Sequence, residues 1–572
     1  MSNTSYSLRP QLSTAEREQL GAFSDISAHL LFHRGVTTNE EAQKFISPDY
    51  DRDIHDPFLL KDAEKAAQRI LEAIEKGENI VIYSDYDADG IPGAVMFADF
   101  FRRVNVSNFT VYIPHRHDEG FGLHVEAVEE LHTQGARLII TIDCGITDVA
   151  AVTRARELGI DVIITDHHEP PALLPPAYAI VNHKQIDCAY PDKHLCGSGT
   201  AFKLVQAILK KDRRGLKEGH EKWLLDMVGI ATLSDMVPLT GENRALAHYG
   251  LAVLRKSPRK GLVRLLSKLK INQRFLSEDD VGFMITPRIN AMSRMGVPID
   301  AFHMLSTEDE NEAYAYVTRV EEVNTERKGI VASLVKEVKK ILSAKYEQHV
   351  PSVIVLGNPE WRPSLLGLVA NSCAEEFDRP VFLWGRDGDN VIKGSCRSEG
   401  RTNIVELMRA VPTNVFTHFG GHKHSGGFAV ASDQIYFLEK HLLEASTRAP
   451  SVGEREMALI DREISLDEID WNLESHISLL GPFGVGNPRP LFLLRSITPT
   501  SVRRFGKTKD HVEIVFTKRD GRTLGAIAFF AGSEPWVEKV STLVPVDLIA
   551  SIEKSFFAGK KELRLRVAEV VV

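Results

Sequence analysis

The chain has 572 residues, 43% of them hydrophobic and 26% charged, which is the composition of a globular protein with material for about three or four domains. It contains no run of about 18 uncharged apolar residues, so no transmembrane helix is expected. A net charge of −9 argues against a surface coated in nucleic-acid-binding charge, but leaves room for local basic grooves, because screening confines surface fields to about 10 Å. The start, Met1-Ser2-Asn3-Thr4, lacks the basic flank of a secretory signal, and five cysteines without a Cys-x-x-Cys pair fit a reduced, cytoplasmic protein.

In chain order, Ser13-Thr14-Ala15-Glu16 and Thr38-Asn39-Glu40-Glu41 have the capping-box spacing of helix starts, so residues 1–60 read as a helical lead-in. Residues 62–76 carry apolar positions at helical spacing. Short Val/Ile runs follow at 80–83, 109–113, 138–142 and 162–165, most of them separated by helical stretches. That alternation predicts an α/β domain over 61–270, with a parallel sheet covered on both faces. Residues 300–345 read as one long helix within a connecting segment, 271–345. A second α/β lobe is expected over 346–450, beginning at Pro351-Ser-Val-Ile-Val-Leu-Gly, and a linker around Arg448-Ala-Pro-Ser-Val-Gly. Short strands such as 511–517, 524–530 and 563–567 then predict a small OB-like β-barrel over 455–572.

The chemistry concentrates at the ends of apolar runs in the first α/β domain. One ends Asp85-Tyr86-Asp87-Ala88-Asp89-Gly90, another Asp143-Cys144-Gly145, a third Asp166-His167-His168, and the stretch 228–233 ends Ser234-Asp235. Open α/β sheets bind ligands beyond the carboxyl ends of their strands. So many carboxylates in one crevice repel one another unless cations are present. Aspartate suits Mg²⁺ and Mn²⁺, and imidazole shifts the balance toward Mn²⁺. Asp-x-Asp-x-Asp-Gly also opens an EF-hand loop, but Met96 stands where that loop needs Glu, and a strand precedes it. His183, Cys188, His194 and Cys196 fit no zinc-finger spacing and read as structural.

These motifs together resemble the DHH phosphoesterase family. Arg116-His-Asp-Glu-Gly-Phe-Gly-Leu, Leu195-Cys-Gly-Ser-Gly-Thr-Ala-Phe-Lys-Leu, Pro287-Arg-Ile-Asn-Ala-Met-Ser-Arg-Met, Gly394-Ser-Cys-Arg-Ser, Gly420-Gly-His-Lys-His-Ser-Gly-Gly and Pro482-Phe-Gly-Val-Gly-Asn-Pro-Arg-Pro extend the resemblance to the family's single-strand-specific 5′-exonuclease branch, over nearly the whole chain. The resemblance implies a DHH lobe, a long connecting helix, a DHHA1-type substrate-binding lobe and an OB-like barrel. It implies two divalent cations, Mn²⁺ ahead of Mg²⁺, with Asp85 and Asp87 at the first, Asp143 bridging, and Asp89, His167 and Asp235 at the second. His168 is expected to face the scissile phosphate, and Asp166 to orient the histidine pair. Arg288, Asn290, Arg294, Ser395, Arg397, Ser398 and His422 are the expected substrate-binding residues.

Some residues depart from the family pattern. Ser425 and Gly426 replace two alanines of the glycine-rich loop, Arg362 stands for a common His, and Ser372 for a common Arg or Lys. In the barrel, Arg503, Arg504, Lys507, Lys509, Lys518 and Arg519 accompany Phe505, Phe529 and Phe530, a combination that suits single-strand binding, although Phe529 and Phe530 read first as core. The basic run from Lys256 to Lys270 reads as a solvated helix face.

The implied activity is metal-dependent 5′-to-3′ hydrolysis of single-stranded DNA in repair and recombination. Implied partners are the strand itself, a single-strand-binding protein and a helicase, for a monomer with no membrane attachment. Two rivals stand beside it: a hydrolase of short oligonucleotides or cyclic dinucleotides, which would need neither the barrel nor the Pro287–Met295 motif, and a catalytically silent scaffold, which would have lost ligands that this chain retains.

Overall fold

The computed structural model describes residues 6–346, 350–386, 391–399, 402–448, 458–506, 509–532, 534–557 and 560–571. The chain folds as two units, one of His55–Val237 with Tyr249–Glu456, the other of Met1–Ile54 with Pro238–His248 and Met457–Val572. Most of the linker expected near Arg448 lies outside the described residues.

The first unit opens with a helix over Ala63–Lys76, whose Ala66, Ala67, Ile70, Leu71 and Ala73 are buried. Then come β1 (Asn79–Ser84), α1 (Gly90–Arg103), β2 (Phe109–Tyr112), β3 (Ala136–Ile142), β4 (Asp161–Thr165), β5 (Ala179–Val181) and α2 (Gly197–Lys211). The strands form one wholly parallel sheet in the order β2-β1-β3-β4-β5. Ile80, Val81, Ile82, Ile139, Ile140, Ile163 and Ile164 are buried, as covering helices on both faces require. The three-residue β5 was not anticipated.

Two sequence expectations change here. The apolar stretch before Asp235 is not a strand but part of a helix, α3 (Leu225–Ser234), because a short buried apolar run fits either element. The long helix is two: Pro298–Ser306, and then α5 (Glu310–Lys345), restarted by Asp309, whose carboxylate accepts the N–H groups of Asn311 and Glu312. Between α3 and α5 lies α4 (Thr286–Met295).

The same unit continues with β6 (Ile354–Gly357), α6 (Pro363–Phe377), β7 (Val381–Arg386), β8 (Ile392–Arg397), β9 (Phe416–His422) and β10 (Ser425–Val430). They make a mixed sheet ordered β9-β10-β8-β7-β6, in which only β6 and β7 run parallel. The glycine-rich motif is the β9–β10 hairpin. A Cβ on Gly426 would lie 2.9 Å from the Gly420 carbonyl oxygen and 3.0 Å from Cys396 Sγ, so the hairpin floor leaves little room for a side chain at this position.

In the second unit both predicted capping boxes form, at Ser13 and Thr38. Residues 1–54 are not a free-standing lead-in, however. Tyr6–Leu8 pairs in parallel with Ala458–Ile460, and Leu20, Leu30 and Leu31 share a core with Phe492, Ile514, Phe516 and Leu548. The buried His29 Nε2 lies 2.6 Å from the Asp461 carbonyl oxygen. The C-terminal strands form a seven-stranded sheet in the order Arg462–Glu463, Phe492–Ile497, Val546–Phe557, Lys560–Val571, Thr523–Ala528, His511–Thr517 and Ser501–Phe505.

Candidate active site

Three of the four motifs expected at strand ends, those of Asp85, Asp143 and Asp166, lie just past the end of a strand, at the carboxyl edge of the parallel sheet. The Asp85 N–H donates to the Ile142 carbonyl (3.0 Å), the Asp143 N–H to Thr165 (2.9 Å) and the Asp166 N–H to Val181 (3.2 Å), so each loop leaves from a continued ladder. Asp143 has φ +61, in the left-handed region that few non-glycine residues adopt and that aspartate tolerates better than most. Asp87 Oδ1 accepts the N–H groups of Asp89 (2.7 Å) and Gly90 (3.2 Å) at the start of α1. Asp89 is gripped by the start of α2: Gly197 N–H donates to Oδ2 (2.6 Å) and Ser198 N–H to Oδ1 (2.8 Å). Asp235 arrives from the C-terminal end of α3.

Three groups of ligand-type atoms converge, each within 4.8 Å: Asp85, Asp87 and Asp143; Asp89, His167 and Asp235; and Asp143, His167 and His168. His167 Nε2 lies 3.1 Å from Asp143 Oδ1 and 3.9 Å from Asp89 Oδ2, and its Nδ1 lies 3.7 Å from Asp235 Oδ2. His168 Nδ1 is bonded to Asp166 Oδ1 at 2.7 Å. Asp166 in turn accepts the backbone N–H groups of His167, His168 and Ile146.

The electrostatics of the cluster call for cations. Burial, then repulsion from neighbouring carboxylates, pushes Asp85 and Asp143 well above the usual carboxylate range. The same causes raise Asp89 to about 6 and Asp235 to about 8. Burial lowers His167 to about 3, leaving a neutral imidazole. His168 is raised to about 9: burial opposes its charge, but the bond to Asp166 and that carboxylate's charge prevail. Asp166, despite its burial, is held low by His168 and the backbone donors. Asp85 Oδ1 and Asp143 Oδ1 are buried with no hydrogen-bond donor. Although Asp143 Oδ1 lies close to His167 Nε2, no hydrogen bond joins them, as expected of lone pairs turned toward a common cation. Carboxylate oxygens plus imidazole nitrogen suit Mn²⁺ or Mg²⁺, so these residues fit the implied metals.

The predicted substrate residues divide. Arg294 is partly buried on α4; its Nη1 donates to the Ser364 carbonyl on α6 at 2.8 Å, and its own carbonyl lies 2.9 Å from His117 Nε2. Burial, and then the positive charges of Arg116, Arg327 and Arg397, lower it to about 10. These guanidiniums therefore share one region of positive potential. Ser395 and Arg397 project from β8 toward α6, where a Cβ on Gly367 would lie 2.9 Å from Arg397 Nη2 and 3.5 Å from Ser395 Oγ. His422 is exposed on the hairpin. Others are committed elsewhere. Arg288 is 4% exposed and turned against Glu321 of α5, with which it pairs. Asn290 Oδ1 accepts the Ala88 N–H (2.9 Å) and so steadies the aspartate loop. Ser398 Oγ donates to the Thr402 carbonyl (2.7 Å).

Sequence reading gave no role to Arg116, which lies over the Tyr86 ring at 5.0 Å, or to Phe121, whose half-exposed ring meets His168 edge-on at 5.5 Å. Both stand in the quoted Arg116–Leu123 motif, where nothing but proximity in space reveals a role.

In the second unit, the expected strand 524–530 stops at Ala528, and Phe529 and Phe530 are 40% and 79% exposed rather than core. Phe505, Phe529 and Phe530 surround His511 at 5.2, 5.5 and 4.8 Å, and Arg564 and Arg566 lie over Phe529. Among the expected basic residues, Arg503 pairs with Glu513, Arg504 with Glu538 and Arg519 with Asp467. Lys518 is buried, and Lys507 lies outside the described residues. In the Lys256–Lys270 run, Arg259 is largely covered and paired with Asp226 and Asp99 rather than solvated.

Comparison with known proteins agrees with this layout. Residues 79–232 match the DHH family, N-terminal domain; 350–445 match the DHHA1 domain; and 460–569 match the RecJ OB domain. The single-stranded-DNA-specific exonuclease RecJ of Bacillus subtilis is 32% identical over 553 residues, covering 95% of this chain and 68% of that protein. RecJ of Haemophilus influenzae is 30% identical, covering 89% and 91%. The crystal structure of Thermus thermophilus RecJ with Mn²⁺ is 26% identical and superposes with a TM-score of 0.82, over 100% of this chain and 80% of that one. A manganese-bound exonuclease RecJ is 32% identical with a TM-score of 0.58, over 68% and 96%.

Proposed function

The chain belongs to the RecJ family of single-stranded-DNA-specific exonucleases, and from that premise we propose that its aspartate–histidine cluster is a two-cation centre that removes nucleotides from the 5′ end of a single strand. The enzyme hydrolyses phosphodiester bonds of single-stranded DNA in a divalent-metal-dependent reaction that serves DNA repair. The observation that carries the assignment of the centre is the convergence of six ligand residues around two buried carboxylate oxygens that no donor satisfies.

Asp85, Asp87 and Asp143 would hold one cation, and Asp89, His167 and Asp235, with Asp143 beside them, would hold the other. When bound, the pair supplies Lewis acidity that lowers the pKa of water and stabilises the leaving oxygen. Gly197 and Ser198 orient the Asp89 carboxylate through their N–H groups. Neutral His167 presents a lone pair. His168, kept cationic by Asp166, faces the scissile phosphate and offers it a charged donor. Arg294, Arg397 and Ser395, joined by Arg116, hold strand phosphates, and Asn290 keeps the aspartate loop in register. Contacts to phosphate carry no base code, so sequence preference is slight.

We place the enzyme in the cytoplasm as a monomer, preferring Mn²⁺ to Mg²⁺. All five cysteines are buried free thiols, which suits a reducing compartment, and among the described residues no helix is long and apolar enough to cross a membrane. A substrate that must be single-stranded implies a helicase to supply it and a single-strand-binding protein that shares it.

The test is incubation of the purified protein with 5′- and 3′-end-labelled single and double strands, with Mn²⁺ or with chelator. Metal-dependent shortening of single strands from the 5′ end is expected. Digestion that survives chelation, or that starts at the 3′ end, contradicts the reading.

A further inference from the structure

The Arg116–Leu123 motif is a loop that leaves the end of β2. Two of its side chains reach the surroundings of the aspartate–histidine cluster, Phe121 at the His168 ring and Arg116 over the Tyr86 ring. Gly120 and Gly122 take φ +93 and +96, so the chain bends sharply on both sides of Phe121. Within the loop the N–H groups of Asp118 and Glu119 donate to the His115 carbonyl at 3.2 and 2.9 Å. A turn closed on itself in this way fixes the shape of the loop but not its bearing on the sheet. Two tyrosines supply that bearing. Tyr83 of β1 and Tyr112 of β2 are register partners, and their rings stack at 5.2 Å and 11°. The fully buried Tyr83 donates its hydroxyl to the Gly122 carbonyl at 2.8 Å. Tyr112 donates to Glu119 Oε1 at 2.6 Å, while Glu119 Oε2 accepts the His115 N–H at 2.5 Å. Burial, and then the bond to Glu119, raise the Tyr112 phenol, which stays a neutral donor. At the far foot of the loop, Asp148 Oδ2 accepts the Leu123 N–H at 2.6 Å.

We propose that Glu119 is a positioning residue for the nuclease reaction: joined to Tyr112, it latches the loop to the sheet and so holds Arg116 and Phe121 beside the cluster. The proposal rests on the reading of the cluster as a single-strand nuclease centre. A carboxylate suits the task because its two oxygens take the sheet's hydroxyl and the loop's own N–H at once, each in a charge-assisted bond. Glu119 belongs to none of the ligand-type groups, so the latch acts on capture of the strand rather than on the cations.

The test uses the full chain as wild type, Glu119→Ala, Glu119→Gln, Tyr112→Phe, Arg116→Ala and the double variant Glu119→Ala/Arg116→Ala. KM and kcat for a single-stranded oligonucleotide are measured in Mn²⁺, alongside amide hydrogen exchange over residues 115–123 without substrate. For Glu119→Ala we expect KM to rise about tenfold with kcat little changed, as loss of the charge-assisted bonds implies. Glu119→Gln keeps an acceptor oxygen and Tyr112→Phe keeps the His115 bond, so each is expected to raise KM about threefold. Exchange over the loop is expected to quicken in all three, most in Glu119→Ala. Arg116→Ala is expected to raise KM about tenfold in the wild type and much less in Glu119→Ala, because a displaced arginine has little left to lose. If alanine at 119 unfolds the chain, Tyr112→Phe carries the same comparison. A wild-type KM in Glu119→Ala overturns the proposal, and so does an Arg116→Ala effect that adds to it in full. A fall in Tm with loop exchange and KM unchanged also overturns it, by making Glu119 a support of the fold. Quickened loop exchange in Glu119→Ala of a protein that digests no single strands would uphold the latch and refute the nuclease reading instead.

Discussion

A Cβ placed on Gly197 would lie 2.5 Å from both the Cβ and Oδ1 of Asp143, so the first residue of α2 packs directly against a carboxylate that belongs to two of the three ligand-type groups. The same Gly197 gives its N–H to Asp89. One glycine thus abuts Asp143 and holds Asp89. Gly197→Ala is expected to weaken Mn²⁺ affinity at least tenfold and to lower kcat, although alanine gains about 0.5–1 kcal/mol of helix preference over glycine. Mn²⁺ titration followed by turnover checks it; wild-type affinity in the variant would mean that Asp143 has room to yield.

Asp143→Ala is expected to abolish hydrolysis and, without metal, to raise Tm. The carboxylate is buried beside other acids, so removing it relieves repulsion that only cations otherwise offset. Thermal melts in chelator, paired with turnover in Mn²⁺, check both halves. A lower Tm with retained turnover would remove Asp143 from the centre.

Metal-free stability is expected to fall as pH rises. Asp89, at about 6, and Asp235, at about 8, bind protons more tightly folded than unfolded, where the usual value is near 3.8. Their stabilising contribution is complete below about 4 and is lost as pH climbs through those folded values. Cations replace the lost protons, so the Tm gain from Mn²⁺ is expected to be larger at pH 8 than at pH 6. An equal or smaller gain at pH 8 would show that these acids do not face the metals.

The double variant Phe529→Ala/Phe530→Ala is expected to weaken binding of long single strands by about 1–3 kcal/mol per lost stacking contact. Dinucleotide turnover is expected to change little, since affinity from a second surface accrues only to strands that engage both at once. Because neither ring belongs to the buried core, Tm is expected to hold. Oligonucleotides of graded length separate the effects; an equal loss at every length would make the pair a support of the fold.

The ligand cluster was legible in the sequence because Asp-x-Asp-x-Asp-Gly, Asp-Cys-Gly and Asp-His-His follow Val/Ile runs, and a parallel sheet gathers such ends by its topology. Asp235 was legible as a residue but not as an element, since the run before it suits helix and strand alike. The pairing of Arg288 with Glu321 was not legible, because it spans 33 positions that local pattern cannot bridge. The union of residues 1–54 with the C-terminal sheet rests on contacts more than 400 positions apart, such as His29 with Asp461, which neither capping boxes nor periodicity encode.

The central claim is that the Asp85–Asp235 cluster is a two-cation centre for single-strand hydrolysis. Its most direct test is Mn²⁺ stoichiometry at equilibrium, measured with single-strand turnover on the same samples of wild type and Asp143→Ala. The account predicts two Mn²⁺ per wild-type chain with turnover rising as the second binds, and loss of both from Asp143→Ala. Full wild-type turnover with one cation or none, or an Asp143→Ala chain that keeps two cations and its turnover, would contradict it.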